Sequence, residues 1–89
     1  MKYYIINITD EYYGCEFITS VLAIGNDKTI NDKANKICSE WYSEDDPAIE
    51  DADGSGSYEQ ANGCTTYVQS IKEITKSTFE ELQPILGQL

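Results

Sequence analysis

The residues best suited to chemistry in this chain are its carboxylates. The 89 residues include 16 Asp and Glu against six Lys, with no Arg and no His, for a formal net charge of -10. Half of the acids fall within residues 40–59, and no Lys lies between Lys36 and Lys72. A concentrated negative field attracts basic partners and raises their association rates. We therefore predict a partner-binding surface that contains these acids and the two tyrosines beside them: Glu40, Glu44, Asp45, Asp46, Glu50, Asp51, Asp53, Glu59, Tyr42 and Tyr58.

The same residue types argue against catalysis. A Cys or Ser nucleophile usually recruits a His base, and the chain contains no His. A zinc site would use four ligands, and the three cysteines form no CxxC pair. Carboxylates in so polar a segment are more often solvated than paired for acid–base work. We therefore predict a protein that is not an enzyme and uses no cofactor or metal.

Residues 51–62 resemble the calcium loop of EF-hand proteins in part. Asp51, Asp53, Ser55 and Gly56 match loop positions 1, 3, 5 and 6, and Glu59 offers an oxygen at position 9. Position 12 is Asn62, which lacks the bidentate carboxylate that the loop requires. Pro47 also stands in the segment where an entering helix is needed. A solvated acidic loop is the preferred interpretation, and a calcium-responsive module through residues 51–62 is an alternative.

Two strands and a helix are expected to precede the acidic segment. Residues 2–8 and 15–24 are rich in Tyr, Ile and Val and are separated by a short turn, which predicts a β-hairpin. Thr29 with Asp32 is typical of a helix N-terminus, and an apolar stripe follows at helical spacing. We predict a helix over residues 29–43 that packs on the sheet through Ile30, Ala34, Ile37, Cys38 and Trp41.

The second half of the chain has a loop, a strand and a short helix. Residues 44–63 contain Gly, Pro and acids and predict an irregular acidic loop. Residues 64–74 return to strand composition, and Ser77 with Glu80 forms a capping box. Pro84 limits the last helix to one or two turns. The predicted fold is one α+β domain over residues 1–89, with a small three-stranded antiparallel sheet, one main amphipathic helix and a short C-terminal helix (ββαβα).

Composition also bears on location and partner class. The chain has no apolar run near 18 residues, and MKYYIINIT at its start lacks the apolar region of a signal peptide. Three widely spaced cysteines suggest no disulfide framework, so a reduced, cytoplasmic chain is expected. Contacts to phosphate need Lys and Arg, so we expect neither direct nucleic-acid binding nor membrane binding.

The size, the charge, the acid cluster at residues 40–59 and the absence of Arg and His resemble small acidic anti-defence proteins of phages and mobile elements. These include anti-CRISPR and anti-restriction proteins that imitate DNA. The resemblance lies in composition along the whole chain and involves no diagnostic motif. It implies an inhibitor in the host bacterial cytoplasm that binds, by charge mimicry, a basic nucleic-acid-binding surface of a defence complex such as a CRISPR effector or restriction nuclease. The alternative is a phage or plasmid protein–protein adaptor whose charge serves only solubility.

Overall fold

A computed structural model of the chain describes residues 1–50 and 56–86. The elements follow the order β1 (Lys2–Tyr12), β2 (Cys15–Gly25), α1 (Ile30–Ser39), β3 (Ile49–Glu50), β4 (Ser57–Glu59), β5 (Thr65–Ile74) and α2 (Lys76–Leu86). The strands form one five-stranded antiparallel sheet in the order β2-β1-β5-β4-β3. The expectation of a three-stranded ββαβα sheet is therefore wrong.

The two additional strands, β3 and β4, lie within the segment predicted to be an irregular loop. β4 pairs with the edge of β5, and β3 pairs with β4, in which Ile49 lies opposite Glu59. Strands of two and three residues are too short to show an alternating pattern, and they depend on a neighbouring strand for their hydrogen bonds. Local composition therefore could not reveal them.

The predicted hairpin is confirmed, and it is longer than expected. Tyr13 and Gly14 both have positive φ values of 50° and 79°, which is the backbone of a two-residue type I′ turn. This turn brings Tyr12 opposite Cys15 and lets β1 and β2 pair without interruption as far as Lys2 and Gly25. β1 therefore continues to Tyr12 instead of ending near residue 8.

The core lies between the sheet and α1. Every second residue of β1 faces the helix, and the stripe of α1 that was predicted from helical spacing packs against that face. The buried residues of this core cluster are Tyr4, Ile6, Ile8, Val21, Ala23, Ile30, Ala34, Cys38 and Tyr58. Ile37 and Trp41 are only partly buried at its margin.

Helix α1 differs from the prediction at both ends. The Thr29 side chain makes no capping hydrogen bond. Instead, Asn26 Oδ1 accepts from the backbone N–H groups of Lys28 and Thr29, and Asn26 O accepts from Ile30 N. An Asn in a turn can satisfy the first amides of a helix in this way. The helix ends at Ser39, so Trp41 belongs to the connection that follows it.

Helix α2 covers one end of the opposite sheet face. Phe79 is buried, and its ring lies 4.9 Å from that of Tyr3. The N-cap is Thr75, whose Oγ1 accepts from Thr78 N at 3.1 Å, and not the expected Ser77. The helix has 11 residues and includes Pro84 in its exposed last turns, so the prediction of one or two turns is wrong. Among the described residues, no helix is both long enough and apolar enough to cross a membrane.

Alkaline pH should destabilise the fold through Cys38. Burial raises the pKa of the Cys38 thiol from its usual 9.0 to about 12. Below pH 9 the Cys38 thiol is protonated in both the folded and the unfolded chain, so its ionisation does not change the free energy of unfolding. As pH rises from about 9 towards 12, the thiol ionises in the unfolded chain alone, and the folded state loses stability. At pH 10.5 we expect the free energy of unfolding to fall by about 2 kcal/mol through this group. Urea unfolding at pH 7.5 and 10.5 should show this fall in the wild type and a smaller one in Cys38→Ala.

The exposed Cys15 supplies the control for this prediction. Cys15→Ala should retain the alkaline dependence of the wild type. Tyr4 adds a smaller loss at higher pH, because burial and its hydrogen bond to Asp27 raise the pKa of its hydroxyl to about 12. An equal loss in Cys38→Ala and the wild type would contradict the assignment to Cys38.

Candidate partner-binding surface

The connection between α1 and β3, residues 40–48, is tied to the helix at both ends. Glu40 N donates to Lys36 O at 3.0 Å, and Trp41 N donates to Cys38 O at 3.3 Å. At the far end, Ala48 N donates to Ser39 O at 2.8 Å. Hydrogen bonds at both ends close the segment into a compact loop, so its acids project from a defined backbone.

A chain of polar side chains fastens this loop to the sheet. The buried Gln60 Nε2 donates to Cys38 O at 2.9 Å and to Thr66 Oγ1 at 3.1 Å. Thr66 Oγ1 donates to Asp10 Oδ1 at 3.3 Å, and the Tyr42 hydroxyl donates to the other oxygen of Asp10. These contacts connect α1, the 40–48 loop, β1 and β5. A polar network in which every group is hydrogen-bonded makes the local structure rigid.

Six of the acids predicted for the partner-binding surface lie in described residues. Glu40 is partly exposed, and the other five are exposed. They lie on the 40–48 loop, β3 and β4, which follow one another along the chain. We call these six residues the acidic surface: Glu40, Glu44, Asp45, Asp46, Glu50 and Glu59. Asp51 and Asp53 lie outside the described residues.

The two tyrosines of the prediction have different environments. Tyr42 is 49% exposed, and its hydroxyl bonds to Asp10; burial and this hydrogen bond raise the pKa of that hydroxyl. Tyr58 is only 8% exposed and belongs to the core, so the expectation that it would be exposed is wrong. Its place in β4, opposite Thr66 of β5, turns its ring towards α1. Burial, and then the charge of Glu50, raise the pKa of its hydroxyl.

No lysine forms an ion pair with the acidic surface among the described residues. In the described part of the chain, ion pairs join Lys2 to Asp27 and Glu73, and Lys76 to Glu80. None of these pairs involves the acidic surface. All its carboxylates are therefore available to a basic partner, without a lysine to be displaced first.

Two grooves combine acids of this surface with apolar side chains. One, of about 520 Å³, is lined by Val21, Ile37 and Trp41, with Glu40 and Glu44. The other, of about 480 Å³, is lined by Asp46, Pro47, Ala48, Ile49, Glu50, Glu59, Gln60 and Ala61. Lys and Arg side chains have aliphatic stems and charged heads, so an apolar floor beside carboxylates suits them. The indole of Trp41 can additionally attract a cation over its face.

Two acids that the sequence analysis did not assign to the partner-binding surface lie in the same sheet row as Glu59. Glu11 lies directly opposite Glu16 in the β1–β2 hairpin. Across β1 and β5, Glu11 is opposite Thr65, which is opposite Glu59, so one row of the sheet carries three glutamates. Like charges directly opposite each other are destabilising. The two-residue turn at Tyr13 and Gly14 was the available signal, because its loop length determines this register.

The calcium hypothesis concerns residues 51–62, of which 51–55 lie outside the described residues. In the remainder, Ser57–Glu59 form β4. The side chain of Asn62, at the position of the missing bidentate ligand, accepts from Cys64 N at 3.0 Å in the turn before β5. Within the described ranges, no group of three or more Cys, Asp or Glu is arranged to hold a metal ion.

Comparison with known proteins adds no relative to this description. No family model matches the chain, and neither a curated protein nor a solved structure is similar to it.

Proposed function

We propose that this chain is a non-enzymatic binding protein whose acidic surface binds a basic, nucleic-acid-binding surface of another protein. The partner class that suits this chemistry is a nuclease complex of bacterial defence, such as a CRISPR effector or a restriction enzyme, in the bacterial cytoplasm. Binding would occupy the Lys and Arg groups that otherwise hold phosphates, and would thereby inhibit the complex.

One observation carries the proposal: the six carboxylates of the acidic surface make no ion pair among the described residues, yet hydrogen bonds hold the backbone that bears them. A charged surface that serves solubility alone has no need of such a framework. The network through Gln60 and Asp10 maintains the spacing of the loop relative to the sheet. Pre-organised charge binds with a smaller loss of side-chain and loop entropy.

The grooves indicate what the partner presents. Each is lined by carboxylates together with apolar side chains, which is the complement of an extended Arg or Lys side chain. Tyr58 is buried and is therefore not among the contact residues that we propose. Glu11 and Glu16 extend the negative charge of Glu59 along one row of the sheet, on the face away from Tyr58 and Glu50, and we do not count them among the contact residues.

The test measures association with a purified RNA-guided or restriction nuclease that the chain captures from bacterial lysate. A triple variant, Glu44→Gln with Asp45→Asn and Asp46→Asn, removes three charges from the acidic surface. At about 0.5 kcal/mol for each exposed pair, affinity should fall about tenfold. The wild-type complex should weaken strongly between about 50 mM and about 500 mM NaCl, and the variant should show a weaker salt dependence. Added DNA should compete with the chain.

A matched control removes three exposed acids elsewhere. Asp32→Asn with Glu80→Gln and Glu81→Gln changes the net charge by the same amount, on α1 and α2. Affinity should remain within about twofold of the wild type. An equal loss of affinity in the two triple variants would mean that net charge, and not the acidic surface, governs binding. Unchanged affinity and inhibition in the folded acidic-surface variant would overturn the proposal.

The alternatives predict different results in the same assays. An adaptor would bind its partner with little salt dependence and would not compete with DNA. A calcium-responsive module would show a higher melting temperature with micromolar calcium, lost in Asp51→Asn. Millimolar association without a thermal shift is what a cluster of exposed carboxylates gives.

A further inference from the structure

Strand β2 forms an edge of the sheet and lacks the usual protection of an edge. Among the described residues it pairs with β1 alone, over 11 residues and without a register shift. It contains no Lys, no Pro and no bulge, which are the common devices that prevent pairing between edges. Its first five residues, from Cys15 to Thr19, are exposed. Phe17 is 64% exposed and Ile18 is 57% exposed.

The hairpin turn determines which backbone groups of β2 point outward. In a hairpin with a two-residue loop, the closing pair, here Tyr12 and Cys15, is hydrogen-bonded, and pairs alternate along the ladder. Glu16, Ile18 and Ser20 therefore direct their N–H and C=O groups away from β1. Ile24 has the same parity, and its carbonyl accepts a hydrogen bond from Lys33 Nζ at 3.0 Å. Lys33 thus protects the far end of the edge and leaves the end near the turn open.

The distribution of charge favours a second copy of the chain on this edge. Glu16 is the one charged residue between Tyr12 and Gly25 of a chain with a net charge of -10. The strands that carry acidic-surface residues, β3 and β4, lie at the opposite edge, with β4 three strands from β2. At about 4.8 Å per strand this separation is about 14 Å, which exceeds the Debye length of about 8 Å at physiological salt. Acids that lie close to β2 are Asp10 and Glu11, opposite Phe17 and Glu16, and Glu40 and Glu44, which line a groove with Val21. Residues 17–20 of the edge carry no charge, so two copies can meet there without one acid directly opposite another.

We propose that two copies pair through β2 in antiparallel orientation, with Ile18 opposite Ile18 of the second copy. In this register Phe17 lies opposite Thr19, and Glu16 lies opposite Ser20 instead of Glu16 of the other chain. Each outward-pointing residue between Glu16 and Ser20 then meets an outward-pointing residue of the second copy, so all their backbone groups can bond. The twofold arrangement closes. Within the residues that the structure describes, the opposite edge strand β3 offers two residues for a further strand.

The resulting dimer would be a continuous ten-stranded sheet with an acidic surface at each end. It could present these surfaces to two basic sites at once, which goes beyond the single-site function proposed above. The contact is small compared with the roughly 800 Å² per partner of standard complexes, so we expect a dissociation constant on the order of 10 µM.

Mass and crosslinking test the proposal together. Light scattering after size exclusion should show a mass that rises from 10.0 kDa towards twice that value between about 1 µM and about 1 mM protein. In a Cys15→Ser background, Ile18→Cys should form a disulfide-linked dimer on mild oxidation, because directly opposite Cα atoms lie within disulfide range. Phe17→Cys and Thr19→Cys should crosslink poorly alone and readily when mixed. These positions are exposed, and circular dichroism should show an unchanged fold.

The last test places a charge at the centre of the proposed contact between the two β2 strands. Ile18→Lys puts two like charges opposite each other and should raise the dissociation constant about tenfold while the monomer stays folded. A mass of 10.0 kDa at every concentration, with no preference of Ile18→Cys over Phe17→Cys, would overturn the proposal. Preferential crosslinking of Phe17→Cys with itself would overturn the register.

Discussion

Ile6→Ala is expected to lower the free energy of unfolding by about 2–5 kcal/mol. Ile6 is fully buried in the middle of β1, an interior strand of the sheet. It lies opposite Val21 on one side and Ile71 on the other, and it belongs to the core cluster that α1 covers. Removing its three outer carbons leaves a cavity that sheet and helix can close only in part. The total free energy of unfolding of a chain of this length is roughly 5–10 kcal/mol, so the loss would be a large share of it.

Ile18→Ala provides the matched control for this change. It removes the same atoms from the neighbouring strand β2, at a side chain that is 57% exposed. We expect a loss below about 1 kcal/mol, measured by urea unfolding at a protein concentration where the chain is monomeric. Similar midpoints for the two variants would mean that the helix-covered face of β1 is not the core.

Gln60→Leu is expected to cost about 1–3 kcal/mol, although it retains the size and apolar stem of the side chain. The Gln60 amide donates to Cys38 O and to Thr66 Oγ1 inside the protein. Without it, the carbonyl at the end of α1 loses a donor in a region from which water is largely excluded. The end of α1, together with the 40–48 loop, should then separate from the sheet more often, and proteases should cleave residues 44–50 faster than in the wild type.

Asn31 provides the control for this prediction, because its side-chain amide is exposed and not buried. It lies exposed on α1, and Asn31→Ala should change the free energy of unfolding by no more than about 0.5 kcal/mol. Thermal unfolding and limited proteolysis of both variants separate stability from local opening. If Gln60→Leu matched the wild type in both measurements, the buried network would not be what positions the acidic surface.

Local sequence patterns were sufficient to place the long elements, although β1 and α2 are longer than predicted. The strands of the hairpin β1–β2 and strand β5 were predicted from their content of β-branched and aromatic residues, and α1 was predicted from apolar side chains at helical spacing. Such patterns persist because one face of each element packs on a core. The concentration of acids at residues 40–59 is visible in the sequence itself, because formal charge depends on residue type alone.

The helix ends and caps were predicted less well. Thr29 and Ser77 have the residue types of N-caps, yet Asn26 and Thr75 make the capping bonds. Several neighbouring polar residues could cap each helix, and the backbone path into the helix decides among them. Trp41 continues the helical spacing beyond Ser39, but the chain leaves the helix there and returns through the bond from Ala48 N to Ser39 O.

The composition of the chain by itself determined the size of the acidic cluster and the scarcity of catalytic residue types. Tertiary structure decided which acids share a surface, because β4 forms by pairing with β5, and β3 forms by pairing with β4. The same pairing buries Tyr58 and lets Gln60 reach the end of α1. Glu11 and Glu16 join the row of Glu59 through cross-strand register. These contacts connect residues distant in sequence, and their free energy comes from partners that no local pattern contains.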